Sequence, residues 1–291
     1  KQYDPDILKQ AGITEEQLSQ VINYQHTYPL TAEAAEALGV KPGIPVVPTS
    51  SDGGLNQVGV GASVEGVMTF SVGTSGAIRL TTAQPVLPDQ PSTWCYMSPK
   101  AWLSGAATNG CCNCIDWYKE HAFGQDVSYG EIEKGITDRE TNPVFLPFLF
   151  GERCPGWNEE RKGVFLEILP KHNDLYLAVQ EGVLFNLYHC YKMLTKVNEP
   201  PKRIKFSGGI LHSPAWAQMC ADIFQKDLEV DDNEQGSLLG GAVLAMELAG
   251  VIRDVRDYDP APAKIIHPNP EMAAFYEKKF ERYLKCYEAG C

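Results

Sequence analysis

The 291-residue sequence has no basic stripe, no long apolar run and no completed metal-binding cysteine motif. Lys and Arg number 25 against 37 Asp and Glu, a formal net charge of −12. Nucleic acid and anionic membrane surfaces are therefore not expected partners. No stretch approaches the roughly 20 apolar residues that a membrane-spanning helix needs. The opening KQYDPDILKQ has no signal-peptide pattern and no initiator methionine, which suggests a fragment. Around Cys111, Cys112 and Cys114 there is no CxxC or HxxxH partner pair to complete a zinc site, so this CCNC cluster reads as small buried residues. The nine cysteines are odd in number and mostly lie inside apolar patterns, as expected of reduced thiols in a cytoplasmic protein. Internal repeats and low-complexity segments are also lacking.

What is present suffices for a sizeable core: 44% of residues are hydrophobic. The stretch from Ile44 to Arg79 organises the chain. The apolar run Ile44 to Val47 reads as a first strand, followed by a polar turn holding one carboxylate, Asp52, and then a helix beginning near Gly53. A second strand, Val67 to Val72, delivers the chain into Gly73-Thr74-Ser75-Gly76, with Ile78 to Thr81 as its hairpin partner. A carboxylate at one turn and a glycine-hydroxyl turn at the next suit phosphoryl transfer. The first can deprotonate a hydroxyl, and free N–H groups at the second can cradle phosphate oxygens. The acidic balance does not exclude ATP, because such local donors and Mg²⁺ handle the phosphates.

Elsewhere, helices are expected over residues 4–11, 15–23 and 31–38, the last stopped by Gly39. The proline-rich stretch 83–95 reads as a loop, Trp102 to Ser104 as a short strand and Phe145 to Phe150 as a buried strand broken by Pro147. A long amphipathic helix spans Leu175 to Val197, with Leu177, Leu184, Leu187, Tyr191 and Leu194 on one stripe. Ile204 to Ser207 is a strand running into Gly208-Gly209. Ser213-Pro214 then starts a helix with serine as cap and proline first. Ser237 to Leu248 is a helix of small residues whose Gly240-Gly241 pair implies close packing. The last helix carries the stripe Tyr276, Phe280, Tyr283, Leu284, Tyr287. Strands mixed with helices throughout give an α/β protein.

Five motifs in order carry a resemblance: SSDGGLNQVGVGA (51–62), TFSVGTSGAIR (69–79), FLPFLFGERCPGWNEERKGVF (145–165), FSGGILHSPAWAQMCADIF (206–224) and EQGSLLGGAVLA (234–245). Together they resemble the C-terminal part of FGGY-family carbohydrate kinases, most closely gluconate kinases, with xylulokinases the runner-up. Two departures stand out: Glu167 replaces a usual glycine, and the segment from Ile168 to Leu175 is short. The resemblance implies an actin-like ATPase (ribonuclease H-like) domain with a mixed sheet flanked by helices. Residues 1–43 would be the tail of a missing N-terminal sugar-binding domain, and residues 44–291 the nucleotide-binding domain.

The implied activity is ATP-dependent phosphorylation of a primary hydroxyl on a sugar or sugar acid, gluconate first, with Mg²⁺ as companion ion and a homodimer among the assemblies allowed. The isolated chain is expected to be inactive. Asp52 matches the family's catalytic base, with Gly53 beside it at the substrate, although SSDGG also suits a plain Asx turn. Gly73, Thr74, Ser75 and Gly76 match a phosphate motif, and Gly208 and Gly209 an adenosine motif. Ser213 lies where the family often meets adenine, yet it also serves as a helix cap. Gly110 and Asn113 fall in a stretch that lines the nucleotide pocket, or simply start a helix. Arg153 and Trp157 lie in the family's loop without an assigned role. His121, His172, His189 and His267 read as surface or packing residues. Two further classes stay open: a non-catalytic actin-like nucleotide-binding module, which needs no base, and a glycine-rich scaffold that binds a partner protein.

Overall fold

The computed structural model describes residues 2–140, 142–166, 172–231 and 235–290. Glu167 and the segment that follows it to Lys171, Glu234 at the head of the fifth motif, and Cys291 lie outside them. In chain order come α1 (Pro5–Ala11), β1 (Tyr28–Pro29), α2 (Ala32–Leu38), β2 (Pro45–Val46), α3 (Asp52–Gly59), β3 (Val67–Val72) and β4 (Gly76–Thr82). Next are β5 (Trp94–Ser98), β6 (Ala101–Thr108), α4 (Cys112–Ala122), α5 (Tyr129–Lys134), β7 (Val144–Leu146) and β8 (Val164–Leu166). The second half supplies α6 (His172–Val197), β9 (Arg203–Ser207), α7 (Pro214–Phe224), β10 (Leu228–Val230), α8 (Gly236–Leu248), β11 (Lys264–Ile266) and α9 (Ala273–Glu288).

Seven strands form one mixed sheet in the order β11-β10-β9-β3-β4-β6-β5. Strand β3 pairs parallel with β9 and antiparallel with β4. Its alternation sorts two layers. Met68, Phe70 and Val72 are fully buried in the main core, where Phe70 meets Phe224 at 4.8 Å and Phe206 at 5.4 Å between ring centroids. Helix α6 runs through that core, and its Leu177-to-Leu194 stripe is buried as its periodicity predicts. The rest of α6 from Tyr176 to Tyr191 is buried too, because α9 covers its far side: Phe280 stacks edge-on against Tyr188 at 4.7 Å.

The opposite sheet face carries α3 and α8, which pack on each other around Leu55, Val58, Val243 and Leu244. A Cβ at Gly240 would run into the Leu55 carbonyl, so glycine there permits the contact, whereas Gly241 has open space beside it. Gln57 joins α3 to the sheet. Its amide nitrogen donates to Thr81 Oγ1 at 2.9 Å and its oxygen accepts from Thr69 Oγ1 at 2.8 Å.

Several elements differ from the sequence expectation. The run Ile44 to Val47 forms only the two-residue β2, paired with β1 in an exposed ribbon apart from the main sheet. Residues 15–23 reduce to a single 3₁₀ turn at Glu15–Gln17. The proline-rich stretch 83–95 ends in β5, an edge strand whose sequence WCYMS pairs with β6. Helix α3 begins at Asp52 itself, with Ser51 as cap: its Oγ accepts the Gly54 N–H at 3.2 Å.

Candidate active site

Register brings the glycine turns together. Val72 pairs with Gly76, Gly76 with Thr108, and Ser71 with Ser207. The carboxyl ends of β3, β6 and β9 therefore share one edge of the sheet, the edge at which open α/β sheets bind ligands. The segments leaving it are Gly73–Ser75, Asn109–Cys111 and Gly208–Gly209.

The first turn is fastened from behind. Gly73 N–H donates to Ser75 O at 3.0 Å, and Gly73 O accepts the Cys112 N–H from the start of α4 at 2.9 Å. The Thr74 and Ser75 side chains are exposed and make no hydrogen bond among the described residues. Gly76 is buried, and a Cβ there would collide with Cys111 Sγ. Gly110 fits against the Pro147 carbonyl, where a side chain would clash. Asn113 spends its amide locally: Oδ1 accepts the Cys111 N–H at 2.8 Å and Nδ2 donates to Asn109 O at 2.8 Å. Gly76, Gly110 and Asn113 thus shape the edge from within.

Gly208 has φ +107°, and a Cβ would strike the Val72 backbone. Glycine is what lets the chain leave β9 across the end of β3. Gly209 is different. It is exposed, its nearest neighbour is Cys112 Sγ at 3.4 Å from an added Cβ, and it lines a cavity of about 230 Å³. Buried Ile115, Tyr176 and Trp216 form the cavity's apolar walls; exposed Asp116, Tyr129 and His212 stand at its rim. Tyr129 Oη donates to Asp116 Oδ1 at 2.6 Å, and this bond, together with burial, pushes the phenol up to about 12. Burial and Asp116 push the Cys112 thiol up to about 11, so it stays protonated at neutral pH. Ser213 caps α7 by accepting the Trp216 N–H at 3.2 Å, and its hydroxyl donates to Glu133 Oε1 at 2.7 Å. Gln180 braces the same wall, donating to Glu133 at 2.9 Å and accepting the Trp216 indole N–H at 3.1 Å. Flat apolar walls beside exposed glycine turns suit a ring system joined to an anionic tail.

Asp52 sits on a separate element. Its side chain is exposed at the first position of α3, with Oδ1 accepting the Gly53 N–H at 2.7 Å. Its carbonyl accepts Ser237 Oγ from α8 at 3.0 Å. Gly53 is buried, and a Cβ there would press on Arg79 and Tyr96. No hydrogen bond links Asp52 to the glycine turns among the described residues.

Cys111 and Cys114 are buried, and no group of three His, Cys, Asp or Glu side chains able to hold a metal occurs among the described residues. His189 is buried, His172 meets Tyr118 Oη at 3.2 Å and His121 meets the Trp117 carbonyl at 2.8 Å. A larger open groove of about 760 Å³ along α9 contains none of the glycine turns. Sequence reasoning missed the cavity residues Asp116, Tyr129, Tyr176, His212 and Trp216. The capping box Ser128-Tyr-Gly-Glu131 announces α5, but only the tertiary fold shows that Tyr129 reaches Asp116.

Comparison with known proteins agrees with this geometry. Gluconokinase of Bacillus subtilis (strain 168) is 30% identical over 270 residues, covering 86% of this chain and 52% of its own. The chain thus spans about half the length of the curated relatives it matches. Among solved structures, gluconate kinase from Lactobacillus acidophilus superposes with a TM-score of 0.92 at 29% identity, covering 99% of this chain and 60% of that one. Ligand-bound xylulose kinase from the same organism gives the same TM-score of 0.92, identity of 29% and coverage of 99% and 60%. The fold is therefore that of the actin-like ATPases. The profile of the C-terminal domain of the FGGY family of carbohydrate kinases matches residues 68–249. With its glycine turns gathered at one sheet edge and that profile over most of its length, this chain belongs to the FGGY family of carbohydrate kinases.

Proposed function

We propose that this chain is the nucleotide-binding, base-supplying half of a kinase that phosphorylates the primary hydroxyl of D-gluconate to give 6-phosphogluconate. The observation that carries the reading is the meeting of the 73–76 and 208–209 turns beside the 230 Å³ cavity. The cavity walls and exposed Gly209 fit an adenine nucleoside, and the Gly73–Ser75 turn fits its phosphates. ATP is the phosphoryl donor, and Mg²⁺ held by its phosphates would neutralise charge developing on the transferred group. Trp216, Tyr176 and Ile115 flank the base, and Gly209 leaves room for it. Asp52 accepts the proton of the substrate hydroxyl on Oδ2, the oxygen that Gly53 leaves free. Gly53 borders the substrate. Residues 1–43 belong to the sugar-binding half and residues 44–291 to the nucleotide-binding half, in a cytoplasmic enzyme. D-xylulose is the second reading, because the xylulose kinase structure superposes as well as the gluconate kinase.

Two measurements test the reading. Calorimetry on residues 1–291 should detect weak ADP or ATP binding and no sugar phosphorylation. Gly209→Trp, which fills the cavity, should abolish the heat, and equal heats for both proteins overturn the pocket. In the protein expressed from its complete reading frame, Asp52→Asn should lower kcat on the order of 10²-fold or more with ATP affinity little changed. Near-normal turnover in a well-folded variant removes Asp52 from the mechanism.

A further inference from the structure

The geometry points to Arg79, steadied by Tyr96, as the residue that receives the carboxylate of a sugar-acid substrate. The inference rests on the kinase reading above and names the group that selects the substrate. Arg79 lies on β4 with its side chain on the α3 face of the sheet. Nε donates to Tyr96 Oη at 3.1 Å, the only hydrogen bond of this guanidinium among the described residues. Four of the other arginines have carboxylates: Arg203 has Glu229 and Asp259, Arg256 has Asp254, Arg161 has Glu152 and Arg253 has Asp257. Arg79 is half-buried and has none among the described residues. Partly burying a cation without a counter-charge is costly unless an anion arrives to pair with it.

Its location fits that anion. A Cβ placed on Gly53 would stand 2.9 Å from Arg79 Nε, so the guanidinium abuts the residue that follows Asp52. In register across the sheet, Arg79 faces Gly105 and Gly105 faces Trp94. The missing side chain at Gly105 admits the Trp94 ring, which stacks on Tyr96 at 4.8 Å and 26°. The stack fixes Tyr96, and Tyr96 occupies Nε. The two Nη groups remain, a fork matched to the two oxygens of a carboxylate. A neutral polyol or ketose offers that fork no charge, so the same residue that welcomes an acid gives little to its uncharged counterpart.

The test compares D-gluconate with D-glucitol, in which a CH₂OH replaces the carboxylate, using the protein expressed from its complete reading frame. Wild type should favour gluconate in kcat/KM. Arg79→Gln should cut kcat/KM for gluconate about 10- to 100-fold and leave glucitol turnover and the KM for ATP within about twofold, collapsing the ratio. Arg79→Lys should restore part of it, and Tyr96→Phe should cause a smaller loss confined to gluconate. Melting curves on each variant separate misfolding from lost recognition. An equal fall on both substrates, or none, in a folded variant overturns the role of Arg79 and leaves the kinase reading standing. Preference of wild type for glucitol or xylulose overturns the sugar-acid assignment and Arg79 with it. A wild-type protein that phosphorylates none of them overturns the kinase reading itself.

Discussion

The two faces of the sheet are built by different means. One is sealed by large rings: Phe70, Phe206, Phe224, Tyr188 and Phe280 interlock between β3, β9, α6, α7 and α9. The other is sealed by absence of bulk: Gly59 and Gly240 let α3 and α8 touch backbone to backbone, and Gln57 bonds α3 to the strands below. The aromatic face holds its shape by filling volume, which tolerates no voids. The glycine face holds a position, because α3 cannot shift against α8 without a clash. The proposed base Asp52 and its neighbour Arg79 lie on that second face. Bulk secures the core, and close contact aims the side chains.

The sharpest way to break the comparison is to attack each face by its own means. Phe70→Ala should cost about 3 to 5 kcal/mol in denaturant unfolding, the loss expected when a fully buried ring is removed from a packed core. The next effect belongs to pH. His189, against Tyr287 at 4.9 Å and with no hydrogen-bond partner for Nδ1 among the described residues, is driven down to about 4 by burial, with Lys196 and Arg161 adding to the shift. Its folded pKa lies below the unfolded value of about 6.5, so the unfolded chain takes up the proton first. The stability tied to neutral His189 is fully present above pH 6.5 and is lost as pH falls toward 4, on the order of 3 kcal/mol in all. His189→Gln should flatten that interval in unfolding curves recorded at pH 7 and pH 4.5; an unchanged slope assigns the loss to other groups.

On the glycine face, Gly240→Ala should destabilise by about 1 to 3 kcal/mol, because the added methyl meets the Leu55 carbonyl. Gly241→Ala, one residue on, should do the reverse and gain roughly 1 kcal/mol or less in thermal melts, since its methyl enters open space and alanine favours the helix. Equal effects at the two positions would show that helix propensity, not the α3–α8 contact, governs this face.

Local chemistry made much of this legible in the sequence. Ser213-Pro214 announces the start of α7, Thr31 and Gly39 bracket α2, and the stripe of α6 declares its buried side. The GTSG and SGG turns were legible as strand ends. Their meeting was not, because it depends on β3 pairing parallel with β9 across the intervening chain. Strand β5 was hidden behind prolines and β11 by its brevity, since both owe their existence to a neighbouring strand. Ile44 to Val47 failed the other way: an apolar run with no sheet edge to join stays a ribbon. Arg79 was visible only as the last letter of a motif. That its guanidinium has no carboxylate among the described residues emerges once register sets it over Gly105 and beside Gly53.

The parallel pairing of β3 with β9 also sets a timetable. The cavity draws walls from Cys112 to Asp116, from Tyr129 and Tyr176, and from Gly209 to Trp216. During synthesis no fragment that stops short of Trp216 can enclose it, however well β3, β4 and β6 have already formed. Any ligand of this cavity, the proposed nucleotide included, can therefore bind only chains that have completed the long-range pairing, and by mass action it would stabilise those alone. Occupancy of the cavity becomes a readout of finished folding.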